Sequence, residues 1–313
     1  MDALSIRKLT KIYADKKSAL NEFDLSVKQG EIFSLLGSNG AGKTTLINIL
    51  TTFLKPTLGT VQILGKDLES NMQFIRSNIA CVAQHVSTDD NLTLAENMRF
   101  QGGLYGLGKA KMKERTNQLV EIFNLSDYID KKVETLSGGI KRRLDIAMSM
   151  MSYPKILFLD EPTVGMDVQS RQSMWRMLSK IKSELGVTIF LTTHYLEEAD
   201  MLSDTICFIK DGKNIIQNTP ANLKKFTRKN MIQITMTDSQ DTERMKELLL
   251  QKDYVTEVSV DDRSLNIQVE HSQQHFFDLN TYVLSTRIGF EGIEITEPTL
   301  DEIFLDIIGE RGN

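Results

Sequence analysis

Gly37-Ser38-Asn39-Gly40-Ala41-Gly42-Lys43-Thr44-Thr45 is the stretch that decides the fold. Before it runs Glu31-Ile-Phe-Ser-Leu-Leu36, a short apolar segment with the look of a buried strand. After it, Thr44 to Leu54 reads as a helix, punctuated at its end by Pro56 and Gly59. A G-x-x-x-x-G-K-[ST] motif between strand and helix is a phosphate cradle. Its glycines let backbone N–H groups close around phosphate oxygens, and the helix N-terminus adds positive partial charge. In that setting Lys43 reaches the β- and γ-phosphates and the Thr44 hydroxyl ligates Mg²⁺.

Two further stretches answer the first. Lys155-Ile-Leu-Phe-Leu-Asp160 is a second buried strand, and Glu161-Pro162 follows it. In an α/β sheet its two acids emerge beside the phosphate loop. Asp160 suits a direct or water-mediated Mg²⁺ ligand, since Mg²⁺ takes one or two carboxylates together with phosphates. Glu161 is placed to polarise a water for in-line attack. Leu136-Ser137-Gly138-Gly139 leads into a helix, with Ser137 as a natural N-cap and two glycines exposing N–H donors to an anion.

Short strands alternating with helical patterns along the first two thirds of the chain predict a mainly parallel sheet. Asp211-Gly212 reads as a hairpin turn pair. After Arg228 the texture changes to β-α-β-β-α-β, a split βαβ order. Charge changes there too. Residues 228–313 hold 8 basic and 17 acidic side chains, and the preceding 227 hold 29 and 25. The expected organisation is a core over residues 1–227, its helical part at about 90–150, and an accessory α+β domain over 228–313.

The whole chain, 313 residues with net charge −5, 41% hydrophobic and 25% charged, has globular composition. No apolar run is long enough to cross a bilayer, and the N-terminus lacks the apolar region of a signal peptide. Cys81 and Cys207 make no disulfide framework, which suits a reducing cytoplasm. No strongly basic stripe points to nucleic acid. The run Lys141-Arg142-Arg143 reads as a solvated helix face rather than a nucleic-acid contact. His85 is given no role, and His271 and His275, four apart on a helix, lack Cys or acidic partners for a metal.

Taken together, these motifs resemble the nucleotide-binding subunit of ATP-binding-cassette (ABC) transporters. Ser137 lies 94 residues after Lys43 and 23 before Asp160, the order and spacing of that family. The resemblance covers about residues 1–220. It implies a P-loop core with an antiparallel β subdomain and a helical subdomain, ATP and Mg²⁺ as cofactors, and nucleotide contacts from all nine residues Gly37 to Thr45. It further implies that Tyr13 stacks on adenine and that Gln84 contacts Mg²⁺ and couples to the membrane partner. By the same resemblance Asp167, in Gly165-Met166-Asp167, is expected to cross a dimer interface and His194 to contact the γ-phosphate, and Ser137, Gly138 and Gly139 are expected to complete the site from a second subunit. Ile140 replaces the family's usual glutamine, as in a branch reading Gly-Gly-Met-Lys-Arg-Arg, and Ser38 replaces a common proline.

Glu297-Pro298-Thr299-Leu300-Asp301-Glu302-Ile303-Phe304-Leu305 and Thr192-Thr193-His194-Tyr195-Leu196-Glu197-Glu198-Ala199-Asp200 resemble the drug- and oligosaccharide-exporting branch. Leu300, Ile303, Phe304 and Ile307 share one face of an amphipathic helix able to dock on a neighbour. That branch implies a separate integral membrane permease of the ABC-2 type, a homodimer or heterodimer with a second ATP-binding subunit, and a peripheral place on the inner face of the cell membrane. The alternative is a soluble ABC ATPase switch without a transporter. Members of that kind resemble tandem cassettes or carry long coiled-coil inserts, and neither pattern is present here.

Overall fold

The structure, a computed structural model, describes residues 1–226, 230–269, 272–296, 300, 303 and 304. The chain divides into two units, Met1–Pro220 and Ala221–Asn313. Strands of the first unit are β1 (Asp2–Ile12), β2 (Ser18–Lys28), β3 (Ile32–Leu36), β4 (Leu58–Ile63), β5 (Lys66–Asp67), β6 (Ile79–Val82), β7 (Ile156–Asp160), β8 (Thr188–Thr193), β9 (Thr205–Lys210) and β10 (Lys213–Asn218). They form a four-stranded sheet ordered β2-β1-β4-β5 and a six-stranded sheet ordered β10-β9-β3-β8-β7-β6. The first sheet is antiparallel. In the second, β9, β3, β8, β7 and β6 run parallel, and β10 returns antiparallel at the edge. Its turn is Asp211-Gly212, both in the left-handed region at φ 50 and 71, which a two-residue hairpin of matching twist requires.

The apolar run of β7 has a physical explanation in two cores. Ile156 and Phe158 point into a cluster shared with the antiparallel sheet, where Leu46, Ile47 and Leu50 of the helix Lys43–Leu50 meet Leu4, Ile6 and Phe23. Leu157 and Leu159 point the other way, into a cluster with Leu144, Ala147, Met151, Leu178 and Ile181. A strand covered on both faces reads as continuous hydrophobicity rather than alternation. The second cluster also holds the helical segment: Leu94–Leu104, started by a Thr93–Glu96 capping box, then Lys109–Ile122 and Gly138–Ser149. No helix among the described residues is long and apolar enough to cross a membrane.

Sequence pattern did not reveal β2. Its buried residues are Leu20, then Phe23, Leu25 and Val27. The spacing slips by one at Glu22, which sits at φ 45. Such a bulge breaks the period-two signal. The helix Met72–Asn78 was also unread, because Ile75 is its single buried residue.

In the second unit, β11 (Asn230–Met236), β12 (Val255–Asp261), β13 (Ser264–Val269) and β14 (Phe290–Thr296) make an antiparallel sheet ordered β12-β13-β11-β14. The helices Thr242–Leu249 and Ser272–Ser285 intervene as the split βαβ order requires. Ile232, Ile234, Leu265 and Ile267 pack with Met245, Leu249, Leu279 and Val283. Within the tail stretch, Leu300 and Ile303 are buried. Ile307, most of Glu297–Leu305, and His271 lie outside the described residues.

Gly42 shows how tightly the phosphate loop is built into the first unit. It adopts φ +111, and a Cβ there would lie 2.5 Å from the Ala19 carbonyl oxygen. Gly42→Ala is therefore expected to destabilise the nucleotide-free chain by about 1–3 kcal/mol, the usual range for forced overpacking. Urea unfolding checks this. An unchanged midpoint would mean that the loop relaxes around the methyl group.

Candidate active site

The parallel strands end at one edge, and three of their C-terminal ends carry the chemistry. From β3 the chain enters the phosphate loop. Lys43 is buried at 5% exposure. Its Nζ donates to the carbonyl oxygens of Gly37 at 2.7 Å and Ser38 at 3.2 Å, and lies 3.8 Å from Glu161 Oε1. Burial pulls its pKa down, opposed by the nearby Glu161 and Asp160 carboxylates. The ammonium thus rests on the loop's own carbonyls.

From β7 come Asp160 and Glu161. Asp160 accepts from Thr192 Oγ1 at 2.6 Å on one oxygen and from Thr44 Oγ1 at 3.4 Å on the other. A hydroxyl and a carboxylate facing each other beside a phosphate loop form the hard-oxygen donor set that Mg²⁺ prefers, so these residues fit that ion. Glu161 adopts φ 45. Its amide donates to the backbone and side-chain oxygens of Thr192, and its carboxylate lies 3.3 Å from His194 Nδ1. His194 follows the end of β8 and packs against Tyr195, with ring centroids 4.3 Å apart.

These residues open into two cavities. One, of about 230 Å³, is lined by Tyr13, Asn39, Gly40, Gly42, Lys43, Thr44, Thr45 and Glu161. There the Tyr13 hydroxyl lies 3.1 Å from Thr45 Oγ1 while its ring stays exposed. The other, of about 610 Å³, is lined by Ser137, Gly138, Gly139, Gln84, Asp167 and Glu161, among others. Glu161 is the one residue common to both linings. Gln84 therefore sits with Ser137 rather than with Thr44 and the phosphate loop. Ser137 Oγ caps the helix Gly138–Ser149 by accepting from the Ile140 amide. A Cβ on Gly138 would meet nothing within 4 Å, so the helix start faces open space. Both Asp167 carboxylate oxygens are engaged by Ser170, through its amide and its hydroxyl, each at 2.8 Å. These bonds hold the Asp167 carboxyl below the usual range.

Several residues of this region had escaped the sequence reading. Thr192 is the hinge pin between Asp160 and Glu161. Its only signal was a threonine just inside the strand that leads to His194. Glu198 is fully buried and accepts from Thr163 Oγ1 at 2.8 Å and Trp175 Nε1 at 3.0 Å. It thereby joins the segment after Glu161 to the helices Val168–Leu185 and Leu196–Leu202. The run Lys141-Arg142-Arg143 is not a solvated face: Arg142 is 4% exposed and paired with Asp145, and Lys141 pairs with Asp90. Residue-type rules cannot foresee such an arrangement, because it depends on what the helix packs against. Ile140, 8% exposed, belongs to the apolar cluster beneath the helical segment.

Comparison with known proteins gives this geometry its class. Residues 20–164 match the ABC transporter family. The chain is 35% identical over 308 residues to the daunorubicin/doxorubicin resistance ATP-binding protein DrrA of Streptomyces peucetius, covering 98% of this chain and 92% of that protein. It is 34% identical over 307 residues to the doxorubicin resistance ATP-binding protein DrrA of Mycobacterium tuberculosis, covering 97% and 92%. Among solved structures it resembles the ATP-binding cassette MJ0796, a dimer in a post-hydrolysis state bound to ADP and Pi, with a TM-score of 0.61 and 26% identity over 69% of this chain and 98% of that one. The chain belongs to the ATP-binding subunits of ABC transporters and is an ABC ATPase. Residues 219–308 match the C-terminal domain of DrrA1-3-like ATP-binding proteins, which places the chain in the DrrA type.

Glu198 supplies a pH signature. Burial raises its pKa, opposed by hydrogen bonds from Thr193, Thr163 and Trp175. An acid with a raised folded pKa binds its proton longer when folded than when unfolded. Its contribution therefore favours folding at low pH. That contribution is lost as pH rises from the ordinary carboxylate range through the raised value. Subtracting the unfolding free energy of Glu198→Gln from that of the wild type should leave a difference that falls over this window and is level above it. A difference independent of pH would mean that the Glu198 carboxyl has the same pKa folded and unfolded.

Proposed function

We propose that this chain drives export of a drug-like molecule through a separate integral membrane permease of the ABC-2 type, with ATP sandwiched between two ATP-binding subunits. The observation that carries the sandwich is the separation of the phosphate-loop cavity from the Ser137 cavity, with Glu161 alone shared. Neither cavity of one chain contains both halves of the site. The dimeric cassette bound to ADP and Pi supports the same reading, and the two DrrA resistance proteins support a drug as cargo.

In this reading the phosphate loop cradles the triphosphate with its amides. Lys43 transfers its ammonium from the Gly37 and Ser38 carbonyls to the β- and γ-phosphates, a charge-assisted contact of about 1.5–3 kcal/mol. Tyr13 offers its exposed ring to the adenine. Thr44 and Asp160, with Gln84 reaching in from the neighbouring cavity, would hold Mg²⁺, which supplies charge neutralisation on the phosphate oxygens. Glu161 takes a proton from the water that attacks the γ-phosphorus in line. His194 steers that carboxylate and contacts the γ-phosphate. Ser137, Gly138 and Gly139 of the second subunit close over the γ-phosphate with helix-terminal N–H donors, and Asp167 lies at the junction between subunits. Closure pushes on the permease through the Gln84 segment, and hydrolysis reopens the pair.

Glu161→Gln tests the sandwich. Loss of a general base lowers turnover about 10²–10⁴-fold, so ATP persists in the site. A dimer should then accumulate on a sizing column with ATP and Mg²⁺ but not with ADP. Adding Ser137→Arg should remove it, with the nucleotide-free sample as control against new pairing by the arginine. One ATP-independent peak for both variants would rule the sandwich out.

Export is tested in cells that co-express the chain with a candidate membrane permease of the ABC-2 type. Daunorubicin should accumulate less than in cells whose chain carries Glu161→Gln. Equal accumulation would remove daunorubicin from the cargo class.

A further inference from the structure

Arg142 makes a set of contacts that no surface arginine makes. Its guanidinium lies inside the first unit, 5% exposed at the side chain, against the Asp145 side chain at 4%. Nε donates to the Pro162 carbonyl at 3.3 Å and Nη2 to the Asp160 carbonyl at 3.3 Å. Nη1 donates to the Ala83 carbonyl and, at 3.3 Å, to Asp145 Oδ2. The other Asp145 oxygen accepts from the amide and hydroxyl of Ser87.

These partners fall in a pattern. Asp160 and Pro162 flank Glu161, and Ala83 and Ser87 bracket Gln84. One fork of donors on the helix Gly138–Ser149 therefore grips the chain on both sides of the proposed general base and, with its counter-ion, on both sides of the glutamine. Glu161 also needs such a grip. It is a non-glycine residue at φ 45, a conformation that persists only where the surroundings over-determine it. Its own amide is held by Thr192, and its neighbours' carbonyls are held by Arg142.

We propose that Arg142, with Asp145 as its counter-ion, is a positioning residue for ATP hydrolysis that fixes Glu161 by binding the carbonyls on either side of it and ties that turn to the Gln84 segment. The proposal rests on the reading of Glu161 as the general base. The geometry explains why arginine is needed. A planar guanidinium presents five donors in a fixed fork, whereas a lysine ammonium is a point charge on a flexible stem. Stability alone would not require the pair, because buried ion pairs are often replaced by apolar residues without loss.

The test uses the purified full chain with three variants: Arg142→Lys, Asp145→Asn and the apolar pair Arg142→Met with Asp145→Leu. Steady-state phosphate release should show kcat lowered tenfold or more in Arg142→Lys and in the apolar pair. KM and the affinity for a fluorescent ATP analogue should stay within twofold. Asp145→Asn should give a smaller fall, since the three carbonyl bonds remain. Amide hydrogen exchange without nucleotide should quicken over residues 158–166 and 83–88 and stay unchanged in the helix Lys43–Leu50. The apolar pair keeps the question answerable if Arg142→Lys does not fold.

Wild-type kcat in the apolar pair, unchanged exchange over 158–166, or a rise in KM with kcat intact would each overturn the proposal. Glu161→Gln runs alongside. If it loses turnover while Arg142→Lys does not, the positioning role alone falls. If it turns over at the wild-type rate, the reading of Glu161 falls and takes the positioning role with it.

Discussion

Parallel register across three neighbouring strands sets the level at which the glycine-rich loop, the Asp160–Glu161 pair and His194 emerge. β3 pairs with β8 so that Leu36 faces Thr193, and β7 pairs with β8 so that Asp160 faces Thr192. The phosphate loop, the Asp160–Glu161 turn and His194 therefore begin within a residue of one another along the sheet. Ligands of open α/β sheets collect outside the carboxyl ends of the strands for this reason. A slip of one residue in β8 would turn Thr192 to the other face. That would remove the hydroxyl that binds Asp160 and the two acceptors that hold the Glu161 amide. The two apolar cores on either side of β8 are what forbid the slip, because Ile189 and Leu191 are committed to one of them and Phe190 to the other.

Buried polar groups in the first unit follow from the same arrangement. Lys43, Arg142, Asp145 and Glu198 are each at most 5% exposed, and each makes a hydrogen bond to the loops at the sheet's carboxyl edge or to a neighbour of them. Arg115 is a contrasting case. It binds the Met150 carbonyl at 3.2 and 2.8 Å and stacks on Tyr153 far along the chain from any phosphate-loop residue, so its work is to join helices. Desolvation lowers the pKa of Lys43 and Arg142 and raises that of Glu198, which is the direction expected when burial opposes charge. What separates them is the chemistry of the partner. Carbonyls and a carboxylate can keep Arg142 charged, and hydroxyl and indole donors can serve Glu198 in either protonation state.

Much of this site was legible in the sequence because its parts are contiguous. A phosphate loop is nine consecutive residues, and Asp160-Glu161 closes an apolar run that only a buried strand explains. The β-α-β-β-α-β order after Arg228 was legible for a similar reason, since each element has its own clean period. Arg142 was misread because a run of three cations looks the same in sequence whether it meets water or carbonyls. β2 was missed because the bulge at Glu22 shifts its pattern out of phase. The grouping of Gln84 with Ser137 was invisible too, since it depends on how the helix Gly138–Ser149 packs beside the end of β6. Ile140 looked like a departure from the family's usual glutamine, yet its side chain fills the apolar cluster, and a side chain there leaves the backbone amides of Gly138 and Gly139 in place.

Glu161 brings these strands of argument to one residue. Its left-handed backbone is worth about 1–3 kcal/mol of strain, and glycine would adopt it without that strain. Glycine has no carboxylate, so a residue that must both turn sharply and carry an acid needs external support. Thr192 gives that support from β8 and Arg142 from the helix Gly138–Ser149. The turn throws the Glu161 side chain to the wall between the two cavities, within reach of His194 on one side and 3.8 Å from Lys43 on the other. An acid held there is fixed by two different elements. The hydroxyl and carbonyl of Thr192 on the strand set its height, and the Arg142 guanidinium on the helix, bound to the Asp160 and Pro162 carbonyls, sets the direction of its turn.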